Sequence, residues 1–211
     1  MLIFGALLSP YVRKVCLLAA EKGLDFELKM PGHGTPDADF VAASPFGKIP
    51  AIKDGDYLLA DSSAIAAYID GQYPQTRLIP ADPQALGRVM WFDEYADTIL
   101  AAAGLKVLFH RLVGPKILKK PFDEAIAAQG EAELPPIYAY LEKIAGQNMW
   151  LAGDDFTLAD IAVASVLRSV SYVKVQPKAE DYPAIAAWYD RVCARPAWQQ
   201  VAALEAPAKK A

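Results

Sequence analysis

The sequence predicts two domains of different class, an α/β domain at the N-terminus and an all-α helical bundle after it. Strand and helix patterns alternate through residues 1–75, whereas only helical periodicities occur from residue 85 onward. Between these regions, the stretch YPQTRLIPADPQ holds three prolines, and the pattern changes there. We therefore expect domains at 1–75 and 85–211, joined by a linker at 76–84.

The N-terminal elements follow the order strand, helix, strand, loop, hairpin, helix. LIFGAL is a short apolar run, the stretch from Pro10 to Lys22 has helical spacing, and DFELKM alternates as a strand does. Residues 31–47 are rich in Gly, Pro and Asp and should form a loop with a short helix. IPAIKDGDYLLA places two apolar runs around Asp-Gly, a strong hairpin signal, and Asp61 then begins a helix. Together these elements predict a small sheet with one parallel pair and an antiparallel hairpin.

The C-terminal half contains helical periodicities and no strand pattern. Helices are expected at about 85–112, 122–145, 157–174 and 183–194. The sequence TLAD at 157–160 fits a capping box at the start of the third of these helices. The final residues, APAKKA, are expected to fray.

The composition bounds the classes of function. A hydrophobic content of 54% with 22% charged residues is typical of a folded globule, and a net charge of −4 argues against nucleic acid or membrane as main partner. The chain shows neither a signal peptide nor a long apolar span, so we expect a cytoplasmic protein. Cys16 and Cys193 lie far apart and there are only two histidines, so neither a disulfide nor a metal site is expected.

Ser9 and Pro10 stand where the first strand meets the first helix. Serine is a good N-cap and proline fits the first helical position, so capping alone explains the pair. A helix N-terminus also favours negative charge, and the hydroxyl could donate a hydrogen bond to a bound thiolate and lower its pKa. The residues by themselves leave both interpretations open.

Two further segments, SPFGKIPAI at 44–52 and DSS at 61–63, each have both a structural and a ligand-binding interpretation. Pro50 either begins an edge strand after an ordinary turn, or follows a cis bond that turns the Ile49 N–H and C=O outward to pair with an extended peptide. Asp61 and Ser62 either cap a helix or hold the ammonium and carboxylate of an amino-acid zwitterion.

In order and spacing, the stretches SPYVRKVCLLAAEKGLDFEL, SPFGKIPAI and DGDYLLADSSAIAAYID resemble the thioredoxin-like N-terminal domain of cytosolic glutathione transferases. FTLADIAV and DYPAIAAWYDRVCARPAW resemble that family's C-terminal helical domain. The resemblance covers nearly the whole chain and is closest to the serine-type branches, including tau-like and bacterial members. It implies the glutathione transferase fold, a homodimer, and glutathione as co-substrate.

By this resemblance, Ser9 activates the sulfur of glutathione. The main chain of Ile49, followed by the family's cis-proline at Pro50, pairs with the cysteinyl unit. Asp61 and Ser62 hold the γ-glutamyl end. The thiol-exchanging branches place a cysteine at the position of Ser9, so its absence argues against glutaredoxin-like chemistry.

Other positions are open to more than one interpretation. Lys48 either neutralises a ligand carboxylate or is a solvated turn lysine, and His33 is expected to be a surface residue although its loop often borders the glycyl end. Tyr11 offers a competing hydroxyl, but it falls inside the helix, so Ser9 is preferred. The candidates for a pocket that takes a small hydrophobic electrophile are Tyr11, Tyr95, Phe109 and Arg111.

The implied activity is that of a glutathione S-transferase, in which the activated thiolate attacks the electrophile. The same fold hosts glutathione-dependent isomerases, dehalogenases and peroxidases, and also non-catalytic proteins that act through binding. These remain alternatives at the level of sequence.

Overall fold

The computed structural model describes residues 1–31 and 37–205. His33 and the APAKKA tail lie outside these ranges. None of the helices in the described ranges has the length and hydropathy that a membrane span requires.

The sheet has four strands, and its order is β2-β1-β3-β4. The strands are β1 Leu2–Phe4, β2 Glu27–Lys29, β3 Ala51–Asp54 and β4 Tyr57–Ala60. β1 runs parallel to β2 and antiparallel to β3, which forms a hairpin with β4. The mixed sheet expected from the sequence is therefore confirmed.

The α-helices are α1 Pro10–Glu21, α2 Ala38–Ala43, α3 Ser62–Gln72, α4 Pro83–Glu94, α5 Ala101–Leu108, α6 Glu124–Ala145, α7 Leu158–Ser171, α8 Pro183–Cys193 and α9 Pro196–Ala203. The helix expected at 85–112 is more complex than its apolar pattern indicates. After α4 the chain continues as a π-helical segment Tyr95–Leu100, then α5, then a second π-helical segment Phe109–Leu118. A period of 3.6 residues does not anticipate these wider turns, which often occur at functional sites.

The chain divides into two compact units. One comprises Met1–Ile79 together with the chain from Cys193 onward, and the other is Pro80–Val192. The second unit begins inside the expected linker. The final helix, α9, groups with the first unit rather than with the helical domain expected at 85–211. Part of the reason is a two-bonded ion pair in which Arg195, the residue before α9, donates to Glu21 at the end of α1 over 2.6 and 2.7 Å.

In the first unit, the apolar side chains of the sheet and its helices form the core. Ile3, Phe4, Val12 and Ile52 are fully buried, and the ring of Phe4 lies 5.7 Å from that of Phe40. This packing fixes α1 against the sheet and so determines where the N-terminus of α1 lies.

In the second unit, the capping box expected at Thr157 and Asp160 is confirmed. The buried Asp160 carboxylate accepts bonds from the backbone N–H of Thr157 (3.0 Å) and of Leu151 (2.9 Å), and from Trp188 Nε1 (2.8 Å). Burial raises the pKa of Asp160, and the N–H donors oppose that effect. One side chain thus joins the start of α7, the loop before it and α8.

Candidate functional site

The pairing register of the sheet brings the three sequence-predicted segments to one edge. Phe4 at the end of β1 pairs with Ala51 at the start of β3, and Ala51 pairs with Ala60 at the end of β4. Neighbouring strands lie about 4.8 Å apart, so the three chain positions span about 10 Å. The loop that leads to Ser9, the bond before Pro50, and Asp61 therefore leave the sheet together. We call this the site edge.

Ser9 is the N-cap of α1, as one of the two interpretations requires. Its hydroxyl oxygen accepts from the Val12 N–H at 3.5 Å, which is long for a hydrogen bond, and the side chain is partly exposed. Within the described residues, no acceptor is bonded to the Ser9 hydroxyl proton. The same hydroxyl can therefore cap the helix and donate to a ligand.

Gly5 controls the approach of this loop to α1, a role that sequence reasoning missed. Its φ of +150° is rare for other residues, and a Cβ at this position would lie 2.4 Å from Val12 Cγ2. Its N–H donates to the carbonyl of Lys29 at 2.9 Å. The only signal in the sequence is a glycine inside the first apolar run, LIFGAL.

The bond between Ile49 and Pro50 is cis. Ser44, which is buried, orders the turn before it: its hydroxyl donates to the carbonyl of Lys48 at 2.7 Å and accepts from the Lys48 N–H at 2.9 Å. Among residues 1–31 and 37–205, no backbone hydrogen bond uses the N–H or C=O of Ile49. Those two groups are available to an extended peptide, and the Lys48 side chain is exposed.

Asp61 caps α3 from an unusual backbone conformation. Its φ is 78° and its ψ is 128°, a region that costs a residue other than glycine about 1–3 kcal/mol and that is concentrated at binding sites. Asp61 Oδ1 accepts from the N–H groups of Ser63 and Ala64, both at 3.0 Å. No donor in the described part of the chain bonds Oδ2, and Asp61 is exposed while Ser62 beside it is buried.

Lys14 is a buried cation beside the start of α3. Its side chain is 1% exposed, and Nζ donates to Ser63 Oγ at 3.1 Å. The sequence alone does not indicate this position, because lysine is almost always exposed unless it is paired.

The candidates for the electrophile pocket are not gathered at one hollow of the second unit. Tyr95 is almost fully buried, and its hydroxyl donates to the carbonyl of Ile137 at 2.8 Å. Burial raises the pKa of Tyr95, so its hydroxyl stays protonated at neutral pH. Its remaining surface lines an apolar groove of about 240 Å³, together with Trp91, Ile99, Pro136, Ile137 and Tyr140.

Arg111 lines a different hollow of about 200 Å³, with Leu112, Lys116, Tyr172, Val173 and Lys174. Its guanidinium is held by Glu124 at 2.6 Å and by Glu131 at 2.7 Å. Phe109 is 44% exposed and contacts the ring of His110. Both Phe109 and Arg111 belong to the second π-helical segment. The fourth candidate, Tyr11, lies inside α1 in the first unit and is partly buried.

The buried cysteine of α1 is not a reactive thiol at neutral pH. Cys16 is fully buried in α1, and burial raises the pKa of its thiol to about 12. Cys193 is partly buried, and neither cysteine forms a disulfide within the described residues. Within the described ranges, no group of three or more His, Cys, Asp or Glu side chains could hold a metal ion.

Comparison with known proteins identifies the family to which this chain belongs. The family model of the glutathione S-transferase N-terminal domain matches residues 3–77, and that of the C-terminal domain matches residues 100–196. Glutathione S-transferase 3 of Zea mays is 36% identical over 97% of this chain and 95% of its own length.

Solved structures show the same fold. That of glutathione S-transferase III in its apo form has a TM-score of 0.82 at 35% identity, covering 98% of this chain and 97% of its own. That of maize glutathione S-transferase I in complex with an atrazine glutathione conjugate has a TM-score of 0.86 at 26% identity, covering 98% of both chains. This chain therefore belongs to the glutathione S-transferase family, with the thioredoxin-like N-terminal domain and the all-helical C-terminal domain of that fold.

Proposed function

We propose that the protein binds glutathione at the site edge and that Ser9 activates its sulfur for transfer to a small hydrophobic electrophile. The observation that carries this proposal is that three features lie at one end of three adjacent strands. They are a hydroxyl whose proton has no bonded acceptor among the described residues, a main-chain N–H and C=O that no described residue bonds, and a capped helix N-terminus. Each of these groups matches a different part of a γ-linked tripeptide. The serine-type, tau-like placement within the family stays a prediction.

The tripeptide would lie across the site edge as an added strand. The N–H and C=O of Ile49 would pair with the cysteinyl unit beside Pro50, because main-chain pairing suits an extended peptide. The γ-glutamyl end carries both an ammonium and a carboxylate. Asp61 Oδ2 would pair with the ammonium, and the Ser62 hydroxyl with the N-terminus of α3 would hold the carboxylate. Lys48 would neutralise the glycyl carboxylate from the exposed turn.

Ser9 would act by stabilising the thiolate. A free thiol has a pKa of about 8.5, so only a few per cent is ionised at pH 7. A hydrogen bond from the Ser9 hydroxyl, with the N-terminus of α1, would lower that pKa by about one to two units, which corresponds to about 1.4–2.7 kcal/mol. The thiol proton leaves to solvent, and the sulfur lone pair forms a carbon–sulfur bond as the leaving group departs with its electron pair.

Glutathione conjugation is preferred over the other chemistries of this fold. The maize relative was solved with a glutathione conjugate, which supports transfer to a carbon electrophile. The residues that contact this second substrate stay a prediction, because Tyr95 and Arg111 line different hollows of the second unit. Isomerisation, dehalogenation and peroxide reduction use the same thiolate, and a non-catalytic binding protein would keep the site without turnover.

We also propose that the protein is a cytoplasmic homodimer, in which the first unit of one subunit lies against the helical unit of the other. Phe46, in the turn before Pro50, is 90% exposed, which is costly for a large apolar ring. The second unit carries an apolar groove between Trp91 and Tyr140, large enough for an aromatic side chain. In an isologous dimer, the Phe46 side chain of each subunit would lie in the groove of the other subunit, so the same contact would form twice. Sedimentation should show a dimer that Phe46→Ala weakens, and a monomeric wild type would contradict the proposal.

Two measurements test the site. Calorimetry with glutathione should show binding, and ultraviolet absorbance of the bound thiolate should titrate below the pKa of free glutathione. Ser9→Ala should keep binding and lose most of the thiolate. Unchanged thiolate in that variant would transfer the role to Tyr11 or to backbone amides, and no binding by the wild type would contradict the site as a whole. A panel of halonitrobenzenes, hydroperoxides and maleyl compounds would then separate the chemistries.

A further inference from the structure

Arg13 is a buried cation that lies between the loop before Ser9 and Glu205, the residue that follows α9 and Leu204. Its side chain is 1% exposed. Arg13 Nη2 donates to the carbonyl of Leu7 at 2.9 Å and pairs with Glu205 Oε1 at 2.7 Å. The guanidinium carbon lies 6.0 Å from the ring centre of Trp198. A buried charge is costly unless it is paired, so these partners fix the position of the guanidinium.

The Ser9 loop, residues 5–9, is held at two points by Arg13. The Arg13 side chain holds the carbonyl of Leu7, and the Arg13 backbone N–H donates to the carbonyl of Ser9 at 3.1 Å. Within the loop, the Ser9 N–H donates to the carbonyl of Ala6 at 3.0 Å. The direction of the Ser9 hydroxyl therefore depends on where the Arg13 guanidinium lies.

Glu205, which lies just beyond α9, links the position of the Arg13 guanidinium to that helix. The side chain of Glu205 is 17% exposed. The residue follows α9, and α9 packs against α1. At the other end of α9, Arg195 pairs with Glu21 over 2.6 and 2.7 Å. The two ion pairs fasten the same two helices, but the Glu21 pair lies at the far end of α1 from Ser9. This gives a matched pair of carboxylates for comparison.

We propose that Arg13 and Glu205 are positioning residues for Ser9. Glu205 holds the guanidinium of Arg13, and Arg13 holds the loop that presents the Ser9 hydroxyl to sulfur. The inference rests on the proposed role of Ser9 in forming the glutathione thiolate. It assigns a part in thiolate formation to Glu205, which lies just beyond α9.

The direction in which the pKa of the bound thiol changes distinguishes a positioning role of Glu205 from a direct effect of its negative charge. If Glu205 acted only through its negative charge, its removal would lower the pKa of a nearby thiol, because an anion disfavours a second anion. If Glu205 acts by holding Arg13, its removal lets the loop shift and weakens the Ser9 hydrogen bond. The pKa of the bound thiol then rises.

The test compares Glu205→Gln with Glu21→Gln in the full chain. Glu205→Gln should speed hydrogen exchange of the Ser9 and Val12 amides and raise the pKa of bound glutathione by about 0.5–1 unit. It should also lower kcat about tenfold while KM for glutathione changes little, because the reacting groups are misaligned rather than unbound. Glu21→Gln should lower the melting temperature to a similar extent and leave the exchange of these amides and the pH profile as in the wild type.

The outcomes divide cleanly. A lowered or unchanged thiol pKa in Glu205→Gln, or equal shifts in both variants, would overturn the inference. If Glu205→Gln does not fold, Glu205→Asp keeps the charge, shortens the reach and should give a smaller shift in the same direction. A wild type that forms no thiolate would refute the proposed function, while the exchange of the Ser9 amide would still decide whether Glu205 holds the loop.

Discussion

Replacing Asp160 by alanine should destabilise the protein more than any surface substitution in the same region. Three buried N–H groups, those of Thr157, Leu151 and Trp188, donate to this one carboxylate at 2.8–3.0 Å. Each buried donor left without a partner costs about 1–3 kcal/mol, so the loss should be about 4–5 kcal/mol after partial relaxation. Total stability is about 5–15 kcal/mol for most proteins, so the change is large.

The measurement is urea unfolding at one fixed protein concentration, because dimerisation would make the midpoint depend on concentration. Asp155→Ala is the control: it removes an exposed carboxylate five positions earlier and should cost less than about 0.5 kcal/mol. Asp160→Asn keeps the shape and one acceptor oxygen, so an intermediate loss of about 2 kcal/mol is expected. An Asp160→Ala variant that is as stable as Asp155→Ala would contradict this role of the Asp160 carboxylate.

Three other substitutions have defined outcomes. Gly5→Ala introduces a Cβ 2.4 Å from Val12 Cγ2 at a φ of +150°. Calorimetry should show weaker glutathione binding, and denaturant unfolding should show a loss of about 2 kcal/mol in the free energy of unfolding. Unchanged values would contradict the close approach of this loop to α1. Burial raises the Cys16 pKa to about 12, so the unfolded thiol ionises first above about pH 9, and stability should fall with rising pH by up to about 1.4 kcal/mol per unit. Cys16→Ala should lack that part of the slope. Asp61→Ala removes both the α3 cap and the proposed ammonium partner. It should lower the free energy of unfolding by about 1 kcal/mol and weaken glutathione binding about tenfold. Unchanged affinity for glutathione would show that Asp61 does not contact the ligand.

Much of the fold could be predicted because its signals are local. The Asp-Gly turn between β3 and β4, the proline at the start of α1 and the Thr157 capping box each act within a few residues. The grouping of α9 with the first unit could not be predicted, since it depends on Arg195 and Glu21, which are 174 positions apart. The π-helical turns could not be predicted either, because apolar spacing indicates that a helix forms and does not specify the width of its turns.

The site shows the same division. The residues of the three segments were recognisable because turn and cap chemistry marks them in the sequence. The buried cations behind them were not, because lysine and arginine are almost always exposed unless paired. Lys14 and Arg13 find their partners on α3 and beyond α9, and only the folded chain brings those partners near.

The short strand β2 at one border of the sheet has a consequence for the behaviour of the protein at high concentration. An unpaired border strand offers its backbone to other chains, and proteins commonly block such pairing with brevity and charge. β2 has three residues, and Glu27 and Lys29 are both exposed on it. Edge-to-edge pairing of sheets from separate molecules through β2 is therefore disfavoured, while the strand ends at the site edge stay open for the main-chain contacts that we propose for glutathione.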